Sequence, residues 1–218
     1  VVETSIAVDK PAWGAVFAMA FGVFGLITAE FLPVSLLTPI ADSLRISEGQ
    51  AGQTVTVTAL VALLTSLVIG NVTRRLDRRN VMLGFTLLLI ASALLVAFAE
   101  NLPMILLARV LLGVAIGGFW TLSTAITMRL VPSDQVPKAL SIVFSGISLA
   151  TIIAAPLGSY LGGMIGWRNI FLLTSALGVL ALFWQFFTLP AMPPENKARS
   201  GGVLDLLRNG LMRWGMLA

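Results

Sequence analysis

The sequence predicts an all-α membrane protein with six transmembrane helices, from its composition, its spacing of apolar stretches and its distribution of positive charge. Of the 218 residues, 57% are hydrophobic and only 11% are charged, whereas about 25% charged residues are usual in soluble domains. The mean hydropathy is +0.96. Histidine and cysteine are both absent, which excludes disulfides, thiol chemistry, histidine-dependent triads and most zinc or haem sites.

Six apolar stretches alternate with short polar loops, and each stretch is near the ~20 residues that cross ~30 Å of hydrocarbon. Lipid offers no water to satisfy backbone N–H and C=O groups, so we predict that each stretch is a helix. We number them as spans one to six, at about residues 13–36, 52–72, 81–99, 103–127, 140–163 and 169–189. Together they form a predicted transmembrane domain, 13–189, which follows a polar N-terminal segment, 1–12.

Most of the positive charge falls on one side of this six-span arrangement. Arg45 and Arg168 lie on the opposite side and Arg109 lies within a span, whereas the other 11 of the 14 basic residues share one side: Lys10, Arg74, Arg75, Arg78, Arg79, Arg129, Lys138, Lys197, Arg199, Arg208 and Arg213. Because Lys and Arg are enriched in cytoplasmic loops, both ends of the domain are predicted to face the cytoplasm. This topology accounts for the net charge of +4, and no nucleic-acid partner is predicted.

The composition changes after the sixth span. Residues 190–212 are proline-rich, then charged, then glycine-rich, which is typical of a linker outside the bilayer. Within them, 203–211 has the apolar spacing of a short amphipathic surface helix. Residues 213–218 become apolar again, and we interpret them as the start of a seventh span. The expectation is one six-helix half with its linker, whose partner is a second six-helix half.

Two charged residues lie inside predicted spans. An arginine in an apolar helix costs about 2.5–3.5 kcal/mol on insertion scales, so Arg109 in span four needs a partner. Glu30 lies in the outer half of span one. At ~1.5 Å per residue, Glu30 would be about 15 Å and Arg109 about 10 Å from the outer end, if span one continues toward Ile40. Either the two form a functional pair in a water-filled pathway, or Glu30 meets the headgroups and Arg109 is tethered to neighbouring carbonyls.

Span four also carries Gly113, Gly117 and Trp120 on approximately the face of Arg109. An aromatic ring there could stack on a planar substrate, so these three residues are candidates for lining a substrate pathway. A tryptophan that packs against lipid or a neighbouring helix is the alternative interpretation.

Small residues recur every four positions along span five, at Gly146, Ala150, Ala154, Gly158 and Gly162. Such a row allows another helix to approach closely, and Pro156 removes one backbone hydrogen bond within it. The row is either ordinary tight packing or a sliding or sealing interface between two halves.

The loop TRRLDRRN at 73–80 places Asp77 among four arginines. It is either a solvated positive loop or a gate. In a gate, Asp77 would accept hydrogen bonds from a helix N-terminus, and Arg78 or Arg79 would pair with acidic partners.

Three segments resemble motifs of the major facilitator superfamily, in its drug:proton antiporter branch. TRRLDRRN is similar to the loop motif, ARVLLGVAIGG to the Arg-x-x-x-Gly motif of span four, and APLGSYLGGMIGWRNIF to the antiporter motif of span five. The stretch EFLPVSLLTPIADSLRISEGQAGQTVTVTA further resembles members that export purine ribonucleosides. The chain departs from these patterns at Thr73, which replaces the first loop glycine, at Arg78–Arg79, where a glycine is missing, and at Ala155.

The resemblance implies a twelve-helix transporter of the bacterial inner membrane, with two six-helix halves built from inverted three-helix repeats and working by alternating access. It implies proton-coupled export of inosine-like or guanosine-like nucleosides, no cofactor besides the proton gradient, and lipid, protons, nucleosides and a C-terminal half as partners. By this resemblance the gate loop comprises Asp77, Arg78 and Arg79, the coupling arginine is Arg109, and the antiporter motif includes Pro156, Gly158 and Gly162. Glu30 is assigned as the proton-binding partner from its depth and charge.

Three other functions remain open at this stage. The same fold could export sugars or cationic drugs, or the chain could be a membrane interaction protein without a pathway. An intramembrane enzyme is disfavoured, because the predicted spans hold no histidine, no cysteine and no paired carboxylates.

Overall fold

The computed structural model describes residues 11–194, and the regular structure in that range is entirely helical. The helices are α1 (Trp13–Ser35), α2 (Leu37–Leu44), α3 (Glu48–Val72), α4 (Arg78–Ala97), α5 (Leu102–Leu130), α6 (Val136–Ile165) and α7 (Trp167–Thr188). All except the short α2 are long and apolar enough to cross a membrane, which confirms the predicted all-α class with six spans. The predicted features of 1–10, 195–212 and 213–218 lie outside the described residues.

Three of the long helices, α3, α4 and α5, begin one to four residues before the predicted apolar stretches, and a polar side chain caps each of them. Ser47 and Gln50 form a reciprocal capping box at the start of α3. Asp77 caps α4 by accepting a 2.8 Å hydrogen bond from the Arg79 backbone N–H. Asn101 caps α5 by accepting a 3.0 Å bond from the Met104 backbone N–H. These caps satisfy donors that would otherwise lack a partner at the helix end.

A single residue, Gly166, connects α6 to α7. Its φ of 82° and ψ of 150° lie in a region that is essentially open to glycine alone. The two helices can therefore reverse direction with no loop between them, and a side chain at this position would strain the turn.

The six long helices form two triplets with the same packing pattern. In this comparison α1 corresponds to α5, α3 to α6 and α4 to α7. The α1–α6 contact then corresponds to the α5–α3 contact, and the α4–α5 contact to the α7–α1 contact. The α4–α7 contact corresponds to itself. Successive helices cross in opposite directions, so α1 and α5 run antiparallel. This pattern is typical of inverted-topology repeats, which the family resemblance implied.

Helix α1 is the centre of the bundle, since it contacts every other long helix. Its side chains Met19, Val23 and Leu26 pack with Phe85 of α4 and Phe119 of α5 in the larger hydrophobic cluster. By contrast, α3 and α6 have few buried residues. These two helices occupy equivalent positions in the triplets and flank the bundle.

The row of small residues on α6 packs against α1. All five members are buried, and a Cβ added to Gly146 would collide with the Ala20 carbonyl oxygen. A Cβ on Gly158 would lie 2.7 Å from Leu32 and 2.9 Å from Ser35. The predicted close approach is confirmed. Because α1 of the same half occupies this face, the row is not available to seal two halves.

The end of the bundle opposite Asp77 is tied together by Arg168. Its Nη1 donates to the Ser43 hydroxyl at 2.9 Å, and its Nη2 donates to the Ala99 carbonyl at 2.9 Å. The guanidinium also stacks over Trp167, 4.2 Å from the ring centroid. One side chain therefore joins the start of α7 to α2 and to the segment after α4.

Candidate functional site

Arg109 is the largest polar side chain enclosed within the described bundle, with 2% of its surface exposed. Its Nη1 donates a 2.8 Å hydrogen bond to the Ala29 carbonyl of α1. The guanidinium lies 5.3 Å from the ring centroid of Phe171 of α7, within cation–π range. Its Nε is buried without a hydrogen-bond partner. The charge is therefore stabilised by a carbonyl dipole and a ring face.

Glu30 follows Ala29 and is half-buried. The structure thus brings the two predicted charges to the same α1–α5 contact, and they attract each other electrostatically. Among the described residues, however, no hydrogen bond and no ion pair within 4.0 Å joins their side chains. Arg109 is tethered to the neighbouring carbonyl, while the Glu30 carboxylate has no hydrogen-bond partner in the described structure.

The exposed faces of the long helices differ in polarity. The exposed residues along the middle of α7 are all apolar: Leu173, Ala176, Val179, Leu180, Phe183, Trp184, Phe186 and Phe187. On α5 and α6 the exposed residues include hydroxyls, which we call the hydroxyl face: Thr121, Thr124, Ser145, Ser148 and Thr151. Polar side chains at membrane depth usually face a bundle interior or a water-filled cavity, so this face lines a pathway better than α7 does.

Trp120 of α5 lies next to the hydroxyl face, directly before Thr121. Its ring contacts Phe144 of α6 with centroids 5.8 Å apart, and the hydroxyl oxygen of the next residue, Thr121, lies 3.4 Å from the Ser66 carbonyl oxygen of α3. Trp120 is partly exposed. An aromatic ring is therefore available on α5, next to its contacts with α3 and α6.

Gly113 and Gly117 lie at the contact between α5 and α3. A Cβ on Gly113 would lie 2.8 Å from the Thr58 carbonyl oxygen and 2.7 Å from Val61. A Cβ on Gly117 would lie 3.0 Å from the Cα of Ala62. The structure therefore gives both glycines a packing reason, because the two backbones touch at these positions.

The predicted gate loop is bound to the end of α7. The Asp77 carboxylate, besides capping α4, accepts hydrogen bonds of 3.1 and 3.2 Å from the Met192 backbone N–H. The Arg78 backbone N–H donates to the Met192 carbonyl at 3.1 Å. Arg79 donates to the Phe186 carbonyl at 2.6 Å and lies 5.1 Å from the ring of that residue. The partners of this loop in the described range are thus main-chain groups and a ring.

Replacing Asp77 by alanine is expected to destabilise the folded protein by about 1–3 kcal/mol, because a helix cap and a bond to a second backbone N–H are both lost. Thermal unfolding of the full-length protein in detergent measures this. The control is Asp42→Ala, which removes an exposed carboxylate that has no hydrogen bond in the described structure. Equal melting temperatures for the two variants would contradict the assignment.

The predicted antiporter-motif residues lie on both sides of α6. Gly158 and Gly162 are buried on the α1 side, and Pro156 is exposed on the other. Next to them, α1, α6 and α7 enclose an apolar groove of about 320 Å³. Thr28 lines this groove, and its buried hydroxyl has no hydrogen-bond partner.

The predictions made from the sequence do not include the hydroxyl face. The signal was present, since Ser141, Ser145 and Ser148 recur at intervals of four and three residues, which places them on one side of an apolar helix. The small residues that predict the packing of α6 occupy another side of the helix. Burial distinguishes the two sides, and burial depends on the packing of α1 and α7.

A bundle of two antiparallel, symmetry-related helix triplets, with a buried arginine and an exposed hydroxyl face, has the inverted-repeat architecture that is typical of membrane transporter folds. The family model described as Major Facilitator Superfamily matches residues 18–218. The chain belongs to that family.

Similar proteins agree with this assignment. The chain is 52% identical over 211 residues to the purine ribonucleoside efflux pumps NepI of Salmonella typhimurium and Salmonella enteritidis PT4, covering 97% of this chain and 53% of each pump. The chain thus spans about half the length of these relatives. The crystal structure of a bacterial homolog of the human lysosomal transporter Spinster, inward-facing and unoccupied, shares the fold: the TM-score is 0.71 at 18% identity, over 93% of this chain and 50% of that one.

Proposed function

We propose that this chain is the N-terminal half of a proton-coupled antiporter that exports purine ribonucleosides, such as inosine and guanosine, across the bacterial inner membrane by alternating access. The observation that carries the proposal is the 52% identity to the named efflux pumps along 97% of the chain. The relatives are about twice as long, so a second six-helix half would supply the other wall of the pathway.

The hydroxyl face fits a nucleoside. Thr121 and Ser145 donate their own protons to helix carbonyls at 2.8 and 2.7 Å. Their oxygens therefore keep lone pairs that can accept hydrogen bonds from ribose hydroxyls or purine N–H groups. Trp120 would stack on the planar base, which is the most apolar part of such a substrate. In this proposal Trp120 is the pathway residue of α5, and Gly113 and Gly117 hold α3 in place beside it.

The position of the second half follows from the exposed faces. The middle of α7 is wholly apolar where it is exposed, as a lipid-facing helix should be. Helices α3 and α6 expose polar side chains, including Gln53, Thr56 and Ser148. We therefore place lipid against α4 and α7 and the second half against α3 and α6. The excess of basic residues on one side supports a cytoplasmic position for the N-terminus, the Asp77 loop and the following linker.

Coupling is assigned to Glu30 and Arg109, and the proton gradient is the energy source, without a cofactor. Proton uptake from outside would neutralise Glu30 and remove its attraction for Arg109, which favours one conformation of the transporter. Substrate would favour the other. Coupling requires that each ligand bind the two conformations with different affinity.

The test uses the full-length protein reconstituted in lipid vesicles with an imposed pH gradient. We expect the gradient to drive uptake of labelled inosine and guanosine against their concentration gradients, and a protonophore to abolish it. Arabinose and ethidium are measured in parallel. Accumulation of either, without inosine, would replace the proposal by export of sugars or cationic drugs; the absence of any transport would favour a non-transporting membrane protein.

Trp120→Ala in the same vesicles tests the stacking contact. We expect the KM for inosine to rise about 5- to 150-fold, since base–aromatic stacking contributes ~1–3 kcal/mol, while Trp120→Phe retains most of the affinity. The matched control is Trp184→Ala, a partly exposed tryptophan on the apolar face of α7. An unchanged KM in Trp120→Ala would exclude a stacking role.

A further inference from the structure

The Ala29 carbonyl, which accepts the hydrogen bond of Arg109, lies one helical turn before a proline, Pro33, in α1. In an α-helix the carbonyl of residue 29 accepts from the backbone N–H of residue 33. Residue 33 is a proline inside α1, and proline has no N–H to donate. Ala29 is 2% exposed. Its carbonyl would therefore be a buried acceptor without a partner, which costs several kcal/mol within a membrane.

Arg109 supplies the missing donor. Its 2.8 Å bond to the Ala29 oxygen comes from another helix, 80 residues along the chain. The neighbouring carbonyl of Leu32, nearer the end of α1, is satisfied from within the chain by the Ser35 hydroxyl at 3.0 Å and the Leu36 N–H at 3.1 Å. Arg109 of α5 therefore donates a hydrogen bond to the Ala29 carbonyl, to which Pro33 of α1 cannot donate.

This hydrogen bond determines the position of the Arg109 guanidinium relative to Glu30. The guanidinium is bound to the main chain at Ala29, one residue before the carboxylate, and makes no ion pair with Glu30. Among the other charged side chains at this end of the bundle, Glu48 accepts from Thr38 at 2.7 Å, and Arg168 binds Ser43 and Ala99. The remaining three, Asp42, Arg45 and Glu100, are exposed. Arg109 is the charged side chain that binds α1 next to Glu30 in the described structure.

We propose that Pro33 is a positioning residue for proton coupling: the Ala29 carbonyl that it leaves free holds Arg109 beside Glu30 without a direct ion pair. Glu30 thereby keeps a carboxylate that can accept a proton during the transport cycle. The consequence for coupling rests on the proposed function, whereas the contact itself does not.

A double-mutant cycle tests the contact without reference to transport. In the full-length protein in detergent, we expect Arg109→Ala to lower the Tm markedly in the Pro33 background, because a buried acceptor loses the donor that Arg109 supplies. In the Pro33→Ala background the backbone N–H gained at position 33 binds the Ala29 carbonyl, so the same change should cost roughly half as much or less. Arg109→Gln replaces Arg109→Ala if the latter does not fold. Additive changes in Tm would overturn the proposal.

The matched control is Pro39→Ala, which replaces an exposed proline of α2. We expect the cost of Arg109→Ala in this background to equal that in the wild type. A reduced cost there too would show that proline removal acts nonspecifically, and would overturn the proposal.

Transport supplies the second readout, which a purely structural role would not change. In Pro33→Ala, Arg109 is released toward Glu30, and pairing with a guanidinium favours the ionised carboxylate. The pH of half-maximal inosine transport should therefore fall by about one unit, and this shift should be absent in Glu30→Gln/Pro33→Ala. An unchanged midpoint would overturn the positioning role. If the wild type transports no nucleoside, the proposed function fails, and the Tm cycle still decides the contact.

Discussion

Replacing Glu30 by glutamine is expected to uncouple inosine transport from the proton gradient. Glutamine keeps the shape of the protonated side chain but cannot release a proton, so one arm of the exchange is lost. The accumulation ratio driven by a pH gradient should fall by roughly 5- to 150-fold, the range that corresponds to coupling free energies of 1–3 kcal/mol. Downhill movement of inosine should persist, because Glu30 lies away from the hydroxyl face that would hold the substrate.

The measurement compares uphill and downhill flux in the same vesicles over a range of pH. Glu100→Gln is the matched control, since Glu100 is an exposed carboxylate in the short segment between α4 and α5. Uphill accumulation at the wild-type level in Glu30→Gln would remove Glu30 from the mechanism. A loss of both fluxes, with an unchanged Tm, would instead assign Glu30 to substrate binding.

Gly117→Ala is expected to destabilise the helix bundle by about 1–3 kcal/mol or more, the usual cost of overpacking. In an exposed helix interior the same change is favourable by ~1 kcal/mol, so packing must reverse the sign. It does so because the added Cβ meets the backbone of Ala62, 3.0 Å from its Cα, and a backbone cannot rotate away as a side chain can. Helices α3 and α5 would be forced apart, and with them the wall that carries Trp120.

Gly163→Ala is the matched control, because a Cβ there meets nothing within 4 Å. Thermal unfolding in detergent should show a lower Tm for Gly117→Ala and an equal or higher Tm for Gly163→Ala. The same direction of change in both variants would show that the α3–α5 contact is looser than described.

The fold could be predicted from the sequence, but only part of the candidate site could. The sequence placed Glu30 and Arg109 at similar depths, and the structure brings them to one helix contact. The identity of the acceptor for Arg109 depended on knowing that Pro33 lies inside α1 and that α5 crosses α1 at Ala29. The position at which α5 crosses α1 cannot be predicted from the depth of Arg109 in the membrane or from the spacing of residues along its helix. The same is true of Gly113 and Gly117, since a glycine that touches a backbone and one that lines a cavity have the same sequence pattern.

Local rules determined the number, length and helical nature of the spans, because an apolar stretch must satisfy its own backbone hydrogen bonds and cross a fixed thickness of hydrocarbon. They also marked the close-packing face of α6. Tertiary structure alone decided which carbonyl receives Arg109, which backbone N–H receives Asp77 and which hydroxyls remain exposed. The bonds of Arg109 and Asp77 join residues 80 and 115 positions apart, and such contacts depend on how whole helices pack, which no local periodicity specifies.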